Sequence, residues 1–315
     1  MKKSIFNVVF STALILILAV SCTSPSEEIP ANLPAINNKQ RVASYSTLPS
    51  VSDVYDLPAY IGALHNASMY AFVEYVNDNN LSPYDVGGLT NAMIDTFAYN
   101  FVASNLFPIL ENLEATITVS DDILKILENE IMLVIDSLND ENEINNNIQE
   151  RVDYIYNSFG IEGDNLIVYD VITEVTMATN VLWGNEWDFT TPVFEKPYYD
   201  SSNNNNGKSE EQVRDLKKAD IYGAINGAIK GGKCLGSFAG PVGAAWGVVI
   251  GAATGAVAAS IVEYIVQDIV ECAMYIPVNS VTPNTYLYDY LQTLHLTNPN
   301  KYYVLFGNRF DSVIY

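Results

Sequence analysis

A ladder of glycines between Gly223 and Ala259 constrains the fold of this chain more than any other feature. Ten of the 18 glycines in the chain lie between Gly223 and Gly255. Seven of them fall at four-residue spacing in two runs: Gly223, Gly227 and Gly231, then Gly243, Gly247, Gly251 and Gly255. Four residues is close to one helical turn, so each run predicts a helix with one face of almost bare backbone.

These glycines carry an energetic cost that some contact in the fold has to offset. Glycine in a helix interior is about 1 kcal/mol less favourable than alanine, so seven in register cost on the order of several kcal/mol. Close backbone contact between two helices, as in interfaces of small residues at every fourth position, offsets such a cost. The ladder therefore predicts an antiparallel helical hairpin over residues 209–275, with the seven glycines as its helix-packing residues.

The ends of the two hairpin arms are predicted from capping residues. Ser209 and Gln212 fit a capping box at the start of the first arm. The first arm is expected to end near Lys230, because Gly231-Gly232 is typical of a helix stop. Pro241 suits the first turn of the second arm, since a proline there loses no hydrogen bond.

Residues 54–200 have helical periodicity and are interpreted as one helical domain. Apolar residues at three- and four-residue spacing predict five helices, which begin near Leu57, Leu89, Ile123, Ile144 and Leu166. The second helix is expected to end at Pro108, and Ser120 is expected to cap the third. β-Branched residues concentrate at 166–175, so a strand remains the alternative there. The predicted fold class is all-α, a multi-helix domain packed against the glycine-rich hairpin.

The remaining segments are assigned from composition. Residues 1–21 form a signal peptide, 22–53 a flexible tether rich in Pro, Ser and Asn, and 201–208 an Asn-rich linker. The C-terminal segment, 276–315, contains a short helical pattern from Tyr286 to Leu294. The aromatic segment from Tyr302 to Phe306 is interpreted as a strand or a packed loop.

The N-terminus indicates export. Lys2 and Lys3 precede an apolar run over 5–20, and this order is typical of a secretory signal. The run ends in Ala19-Val20-Ser21-Cys22, which resembles the lipobox of bacterial lipoproteins, with alanine where that family usually has leucine. The resemblance implies an acylated Cys22 as the mature N-terminus and attachment to the outer membrane. An ordinary signal peptide followed by a cysteine is the alternative.

An acidic patch follows this cysteine closely. Ser26-Glu27-Glu28 resembles the surface-export signal of Bacteroidota lipoproteins, and the resemblance implies a surface-exposed protein. Removing residues 1–21 takes away Lys2 and Lys3 and changes the formal net charge from −22 to −24. Since nucleic-acid binding needs a basic patch, the charge excludes a nucleic-acid partner.

The residues that usually carry chemistry occur without the spacing that chemistry needs. The two histidines, His65 and His295, have no ligand at metal-binding spacing and are interpreted as ordinary helix histidines. The turn 136–143 lacks the alternating ligands and central glycine of a calcium loop. Gly231-Gly232-Lys233 lacks phosphate-loop spacing, and no G-x-S-x-G motif occurs. The sequence predicts no catalytic residue, no metal and no cofactor, although an enzyme without a visible motif remains open.

A disulfide between Cys234 and Cys272 is disfavoured. If residues 242–273 form one straight helix, the two cysteines lie near opposite ends of it, about 48 Å apart at 1.5 Å per residue. A disulfide needs Cα atoms within about 7 Å.

The function predicted from these observations is a cell-envelope lipoprotein with a non-enzymatic interaction or structural role. Its partners are expected to be the membrane, through the N-terminal lipid, and either another protein or a second copy of the chain. The alternative is a membrane-active protein. Residues 234–262 carry no charge, and about 20 apolar residues span a bilayer. The hairpin also resembles bacteriocins that follow a double-glycine leader, which implies Gly231-Gly232 as a processing site, although here about 230 residues precede it.

Overall fold

The computed structural model describes residues 48–79, 81, 89, 91–113, 117–137, 150, 153–155, 157–186, 210–271, 278–283 and 285–315. Over these residues the protein is 85% helical and contains no strand, so the predicted all-α fold is confirmed. The predicted signal peptide, Cys22 and the linker 201–208 lie outside the described residues, as do Cys272, Ser209 and most of the predicted fourth helix.

Among the described residues before the hairpin lie the helices α1 (Leu57–Asp78), α2 (Asn91–Leu110), α3 (Asp121–Ser137) and α4 (Leu166–Val181). Residues 153–155 and 157–159 are also helical. A π-helical turn, Leu182–Glu186, continues α4. The strand alternative for 166–175 is therefore wrong. Its β-branched residues, among them Val168, Val171, Ile172 and Val175, are buried on α4. Burial of these side chains outweighs their modest preference for strands.

Two helix ends test the capping predictions. The backbone N–H of Ile123 donates to the Ser120 hydroxyl at 3.4 Å, so the predicted cap of α3 is confirmed. The predicted end of α2 at Pro108 is wrong, because the helix runs through it to Leu110. Proline removes one helix hydrogen bond, and the burial of Leu106 and Leu110 on either side of Pro108 keeps the last turn helical.

The glycine-rich segment Glu210–Glu271 is two helices joined at Gly240, which has a φ of +64°. We call them α5 (210–239) and α6 (241–271). The predicted end of the first arm near Lys230 is wrong, since α5 continues nine residues further. Gly231 and Gly232 stay helical because both lie against neighbouring helices. The turn falls at Gly240, where glycine tolerates a positive φ, and Pro241 then opens α6 as predicted.

Three short helices form the C-terminus: α7 (Tyr286–Thr297), α8 (Pro299–Phe306) and α9 (Asp311–Ile314). The helical pattern predicted from Tyr286 is confirmed, and Thr285 caps it by accepting from the N–H of Tyr288 at 3.2 Å. The prediction of a strand or loop at 302–306 is wrong. Tyr302 and Phe306 lie one turn apart and are both buried, which favours a helix.

The hairpin lies at the centre of the molecule. It contacts α1, α2, α3, α4 and α7, while α1 also packs along α4. A Cβ on Gly62 of α1 would lie 2.8 Å from the backbone oxygen of Glu174 on α4, so these two helices approach closely. This approach brings the next turn of α1, which carries His65, into the region between α4 and the hairpin.

Candidate functional site

The two hairpin arms meet along a seam of glycines. The structure places Gly223 against Gly255, Gly227 against Gly251, Gly231 against Gly247, and Gly243 against Leu235. A Cβ on Gly251 would lie 2.8 Å from the carbonyl carbon of Gly227 and 3.2 Å from the Cα of Gly231. Real Cβ atoms do not approach backbone that closely, so the seam leaves no space for a side chain on these glycines.

The seam also fixes the position of the turn. Its pairs are nested, and each step of four residues along α5 is matched by a step of four back along α6. The innermost pair is Leu235 with Gly243, so the turn has to lie between them. Gly240 is in that interval and is the residue with positive φ. The spacing of the glycines therefore determines both the register of the arms and the place where the chain reverses.

A group of polar side chains lies beyond the open end of the seam, inside the protein. Asp220 belongs to α5, Ser260 to α6, His65 and Asn66 to α1, Thr179 to α4 and Trp183 to the π-helical turn. We call these six residues the polar cluster. Each is buried, and His65, Thr179, Trp183, Asp220 and Ser260 have 1% or less of their surface exposed.

The Asp220 carboxylate is the centre of the polar cluster. Its Oδ1 accepts from the Ser260 hydroxyl, and its Oδ2 accepts from the Thr179 hydroxyl. Trp183 Nε1 donates to Oδ2 at 2.6 Å, and His65 Nε2 lies 3.2 Å from the same oxygen. A buried carboxylate is costly unless donors surround it. Here the donors come from α4, from its continuing turn, from α6 and from α1, so the carboxylate ties four parts of the fold together.

The hydrogen bonds of Asn66 indicate that one ring nitrogen of His65 carries a hydrogen. Asn66 Nδ2 donates to the Ala178 carbonyl at 3.0 Å, which leaves its Oδ1 facing His65 Nδ1 at 2.9 Å. An amide oxygen only accepts, so Nδ1 carries a hydrogen.

The other ring nitrogen faces acceptors as well. His65 Nε2 lies 2.7 Å from Ser260 Oγ and 3.2 Å from Asp220 Oδ2. The Ser260 proton points to Asp220 or to the Ala256 carbonyl, so its oxygen is free to accept from Nε2. An imidazolium fits this arrangement, with both ring nitrogens donating and the ring paired with Asp220.

The pKa of His65 agrees with this assignment. Burial by itself lowers the pKa, but the charge of Asp220 and the hydrogen bonds to Asp220 and Asn66 outweigh burial and raise it above 6.5. A raised pKa means that the bound proton stabilises the folded state. That contribution is fully present below about pH 6.5, the pKa of an unperturbed histidine, and is lost as the pH rises through the folded-state pKa.

A serine, a histidine and an aspartate in contact suggest a hydrolytic triad, but the geometry differs in two respects. In a triad the serine and the acid bind opposite nitrogens of the imidazole, whereas Ser260 and Asp220 both face Nε2. An imidazolium also has no lone pair with which to take the serine proton. The Ser260 hydroxyl is fully buried, so a substrate has no access to it in this packing. The polar cluster therefore connects helices and lacks the arrangement that activates a nucleophile.

The turn end of the hairpin has a different character. Lys233 Nζ on α5 contacts Glu128 Oε2 on α3 at 2.6 Å, and both side chains are about half exposed. The Val119 N–H donates to the Pro241 carbonyl at 3.0 Å and so joins the turn to the start of α3. Phe238, beside the turn, is 60% exposed. These contacts hold the turn against α3.

The second histidine lies in a separate aromatic cluster at the C-terminus. His295 on α7 makes edge-to-face contacts with Tyr302, Tyr303 and Tyr315, with ring centroids 4.9–5.6 Å apart. Its Nε2 lies 2.8 Å from the Tyr315 hydroxyl. Tyr315 is 84% exposed and Tyr302 is buried, so this cluster extends from the surface into the protein.

Two helical segments are long and apolar enough to be membrane-associated, namely Gly163–Gly184 and Glu210–Gln267. In the second, 67% of the most apolar window is buried inside the protein. Among the described residues, no group of three His, Cys, Asp or Glu side chains is placed to hold a metal ion. Cys234 is a free thiol.

Sequence reasoning did not find the polar cluster, although one signal for it existed. Asp220 lies one turn before Gly223, and Ser260 directly follows Ala259. The structure places Gly223 against Ala259, so a hairpin drawn with that register sets Asp220 beside Ser260. No comparable signal links them to His65, which is 195 residues before Ser260 in the chain. The sequence therefore placed His65 on a helix, where the structure has it, but gave no indication of its contact with Asp220.

Comparisons of this chain with protein-family models, with curated proteins and with solved structures found no match.

Proposed function

We propose that this chain is a cell-envelope lipoprotein, anchored through lipid on Cys22, with a non-enzymatic structural or interaction role. The hairpin is the internal core of its helical domain. The structural role is supported by the burial of the hairpin among α1, α2, α3, α4 and α7, with an ion pair at its open end. The lipid anchor is supported by the sequence Ala19-Val20-Ser21-Cys22.

The charges on α5 favour a buried hairpin over one that enters lipid. Because α5 extends to residue 239, Lys230 and Lys233 lie in its second half and not at its end. A charged side chain at the centre of a membrane helix costs about 2.5–3.5 kcal/mol or more. Inserting both arms would bring these two lysines into the bilayer and would also separate Asp220 from His65. In the folded protein, by contrast, Lys233 pairs with Glu128.

The anchor is tested by metabolic labelling with a palmitate analogue in a bacterial host. We expect the wild-type chain to incorporate label and to sediment with outer membranes, and Cys22→Ser to lose both properties. Cys234→Ser is the matched control, because it removes an internal thiol of intermediate exposure and leaves the lipobox intact. Equal labelling of Cys22→Ser and wild type would contradict the anchor.

A membrane-active role is the second candidate, supported by the length and apolarity of Glu210–Gln267 and by the exposed Phe238 near the turn. The two candidates separate in dye-loaded proteoliposomes that contain the full chain. At micromolar protein we expect no more dye leakage than from dye-loaded vesicles without protein. Leakage by the wild type that is lost in Gly251→Leu would favour the membrane-active role, because that substitution opens the seam on which a membrane hairpin would depend.

A further inference from the structure

His65 is the residue through which α1 contacts the charged group of the hairpin. Its Nε2 lies within 3.2 Å of Asp220 on α5 and 2.7 Å of Ser260 on α6, and its Nδ1 faces Asn66 on its own helix. Asp220 in turn accepts from Thr179 and Trp183. His65 therefore stands between a buried carboxylate and two packed helices, and both His65 and Asp220 have 1% or less of their surface exposed.

We propose that the proton on His65 is a pH-sensitive latch, which holds the glycine hairpin against α1 and α4 when bound and loosens the hairpin when released. The inference goes beyond an anchoring role and does not depend on lipid at Cys22. Deprotonation would leave the Asp220 carboxylate buried without a compensating charge. Breaking a buried pair in this way is strongly destabilising, since the remaining charge stays out of water.

The groups that face His65 are few, which makes the direction of the effect clear. From α1 they are Asn66 and its amide oxygen, and from the hairpin they are Asp220 and Ser260. From α4 and its continuing turn, Thr179 and Trp183 reach the same carboxylate. Among these described groups Asp220 is the charged one, so the proton on His65 is favoured by its surroundings and leaves only as the pH rises.

Other titrating groups are separated from His65 by the sign of their effect or by substitution. Burial raises the pKa of the Cys234 thiol, so its contribution to stability also falls at high pH, but that contribution remains in a His65 variant. The chain has two histidines, so His295 is the other imidazole. Burial lowers the pKa of Lys217 on α5. A lowered lysine pKa makes the folded state more stable as the pH rises, which is opposite in sign to the latch. The part of the stability loss between pH 6.5 and 9 that disappears with His65 is therefore specific to this residue.

The first experiment is a nuclear magnetic resonance titration of the full-length His295→Gln variant in detergent micelles, which leaves one imidazole to observe. We expect both ring nitrogens of His65 to be protonated at pH 7, with a titration midpoint above pH 6.5. A neutral ring at pH 7, or a midpoint at or below pH 6.5, would overturn the proposal. This experiment leaves residue 65 unchanged, so it does not depend on the folding of a core variant.

The second experiment compares melting temperatures at pH 6.5 and pH 9. Wild type and His295→Gln should both lose several degrees at the higher pH, while His65→Gln should begin lower at pH 6.5 and show a clearly smaller further loss, since the Cys234 thiol still titrates. Gln keeps a donor near Asp220 but has no titrating proton. An equal loss in His65→Gln would show that another group is responsible and would overturn the latch. If His65→Gln does not fold, the titration of His295→Gln decides the question.

Discussion

The glycine seam and the polar cluster hold the same hairpin by opposite means. At the seam, Gly227 and Gly251 bring two backbones together because neither has a side chain. At the polar cluster, hydrogen bonds to the Asp220 side chain connect α5 with α1, α4 and α6. The seam acts within the hairpin and sets its register, whereas the polar cluster acts between the hairpin and the helices around it.

The difference lies in how each region responds to change. The seam is limited by space, so adding atoms should damage it and removing them is not possible. The polar cluster is limited by the pairing of charge and hydrogen bonds, so removing atoms should damage it. The following predictions apply both kinds of change, in order of expected size.

Removing the carboxylate at residue 220 should have the largest effect. Asp220→Ala leaves His65, Thr179 and Trp183 with donors that have lost their acceptor, and breaking a buried ion pair costs about 3–5 kcal/mol. Chemical denaturation of the full chain measures the loss. Asp215→Ala is the control, since that carboxylate lies 4.0 Å from Lys218 and is about one-third exposed. Equal losses in the two variants would remove the distinction between the polar cluster and an ordinary surface pair.

Adding one methyl group at the seam should have the next largest effect. Gly251→Ala places a Cβ 2.8 Å from the carbonyl carbon of Gly227, so the arms must separate. Overpacking of this kind costs about 1–3 kcal/mol, and Gly251→Leu should cost more.

Gly184→Ala is the matched control for the seam. A Cβ at that residue would meet only the Lys217 Nζ, at 3.9 Å, and alanine is the better helix former by about 1 kcal/mol. Unchanged melting temperatures for both Gly251→Ala and Gly184→Ala would contradict the close seam.

The contact at the turn end should have the smallest effect. Glu128→Gln removes the ion pair with Lys233. The Glu128 side chain is 52% exposed and the Lys233 side chain 45%. Exposed pairs contribute about 0–1 kcal/mol, and salt screens them. The loss should therefore be small at low salt and absent at high salt. A loss as large as that of Asp220→Ala would mean that the turn, and not the polar cluster, is what docks the hairpin.

The sequence was sufficient to predict an element wherever a local preference was not opposed by tertiary packing. The spacing of the glycines led to the hairpin, Ser120 to the cap of α3, and the apolar periodicity from Leu57 to α1. Predictions were wrong where packing outweighed a local preference. Gly231-Gly232 is typical of a helix stop, but both residues lie against neighbouring helices and remain in α5. Pro108 favours a helix end and the β-branched residues of 166–175 favour a strand, but burial of the apolar side chains stabilises the helix in both places.

The candidate site was the least predictable part of the molecule. His65 and Asp220 carry no motif, and 154 residues that differ widely in character separate them in the chain. Hydrogen bonding between distant helices depends on how those helices pack, and periodicity within one helix holds no information about that.

The sequence by itself determined that this chain forms helices, that two of them join into a hairpin, and which glycines lie between the arms. A bare helix face has one favourable use, which is close contact with another backbone. Only the tertiary structure decided which helices surround the hairpin and that His65 meets Asp220 there. The physical reason is that a buried charge is tolerated only beside a partner, and the partner is supplied by the packing of α1 against the hairpin.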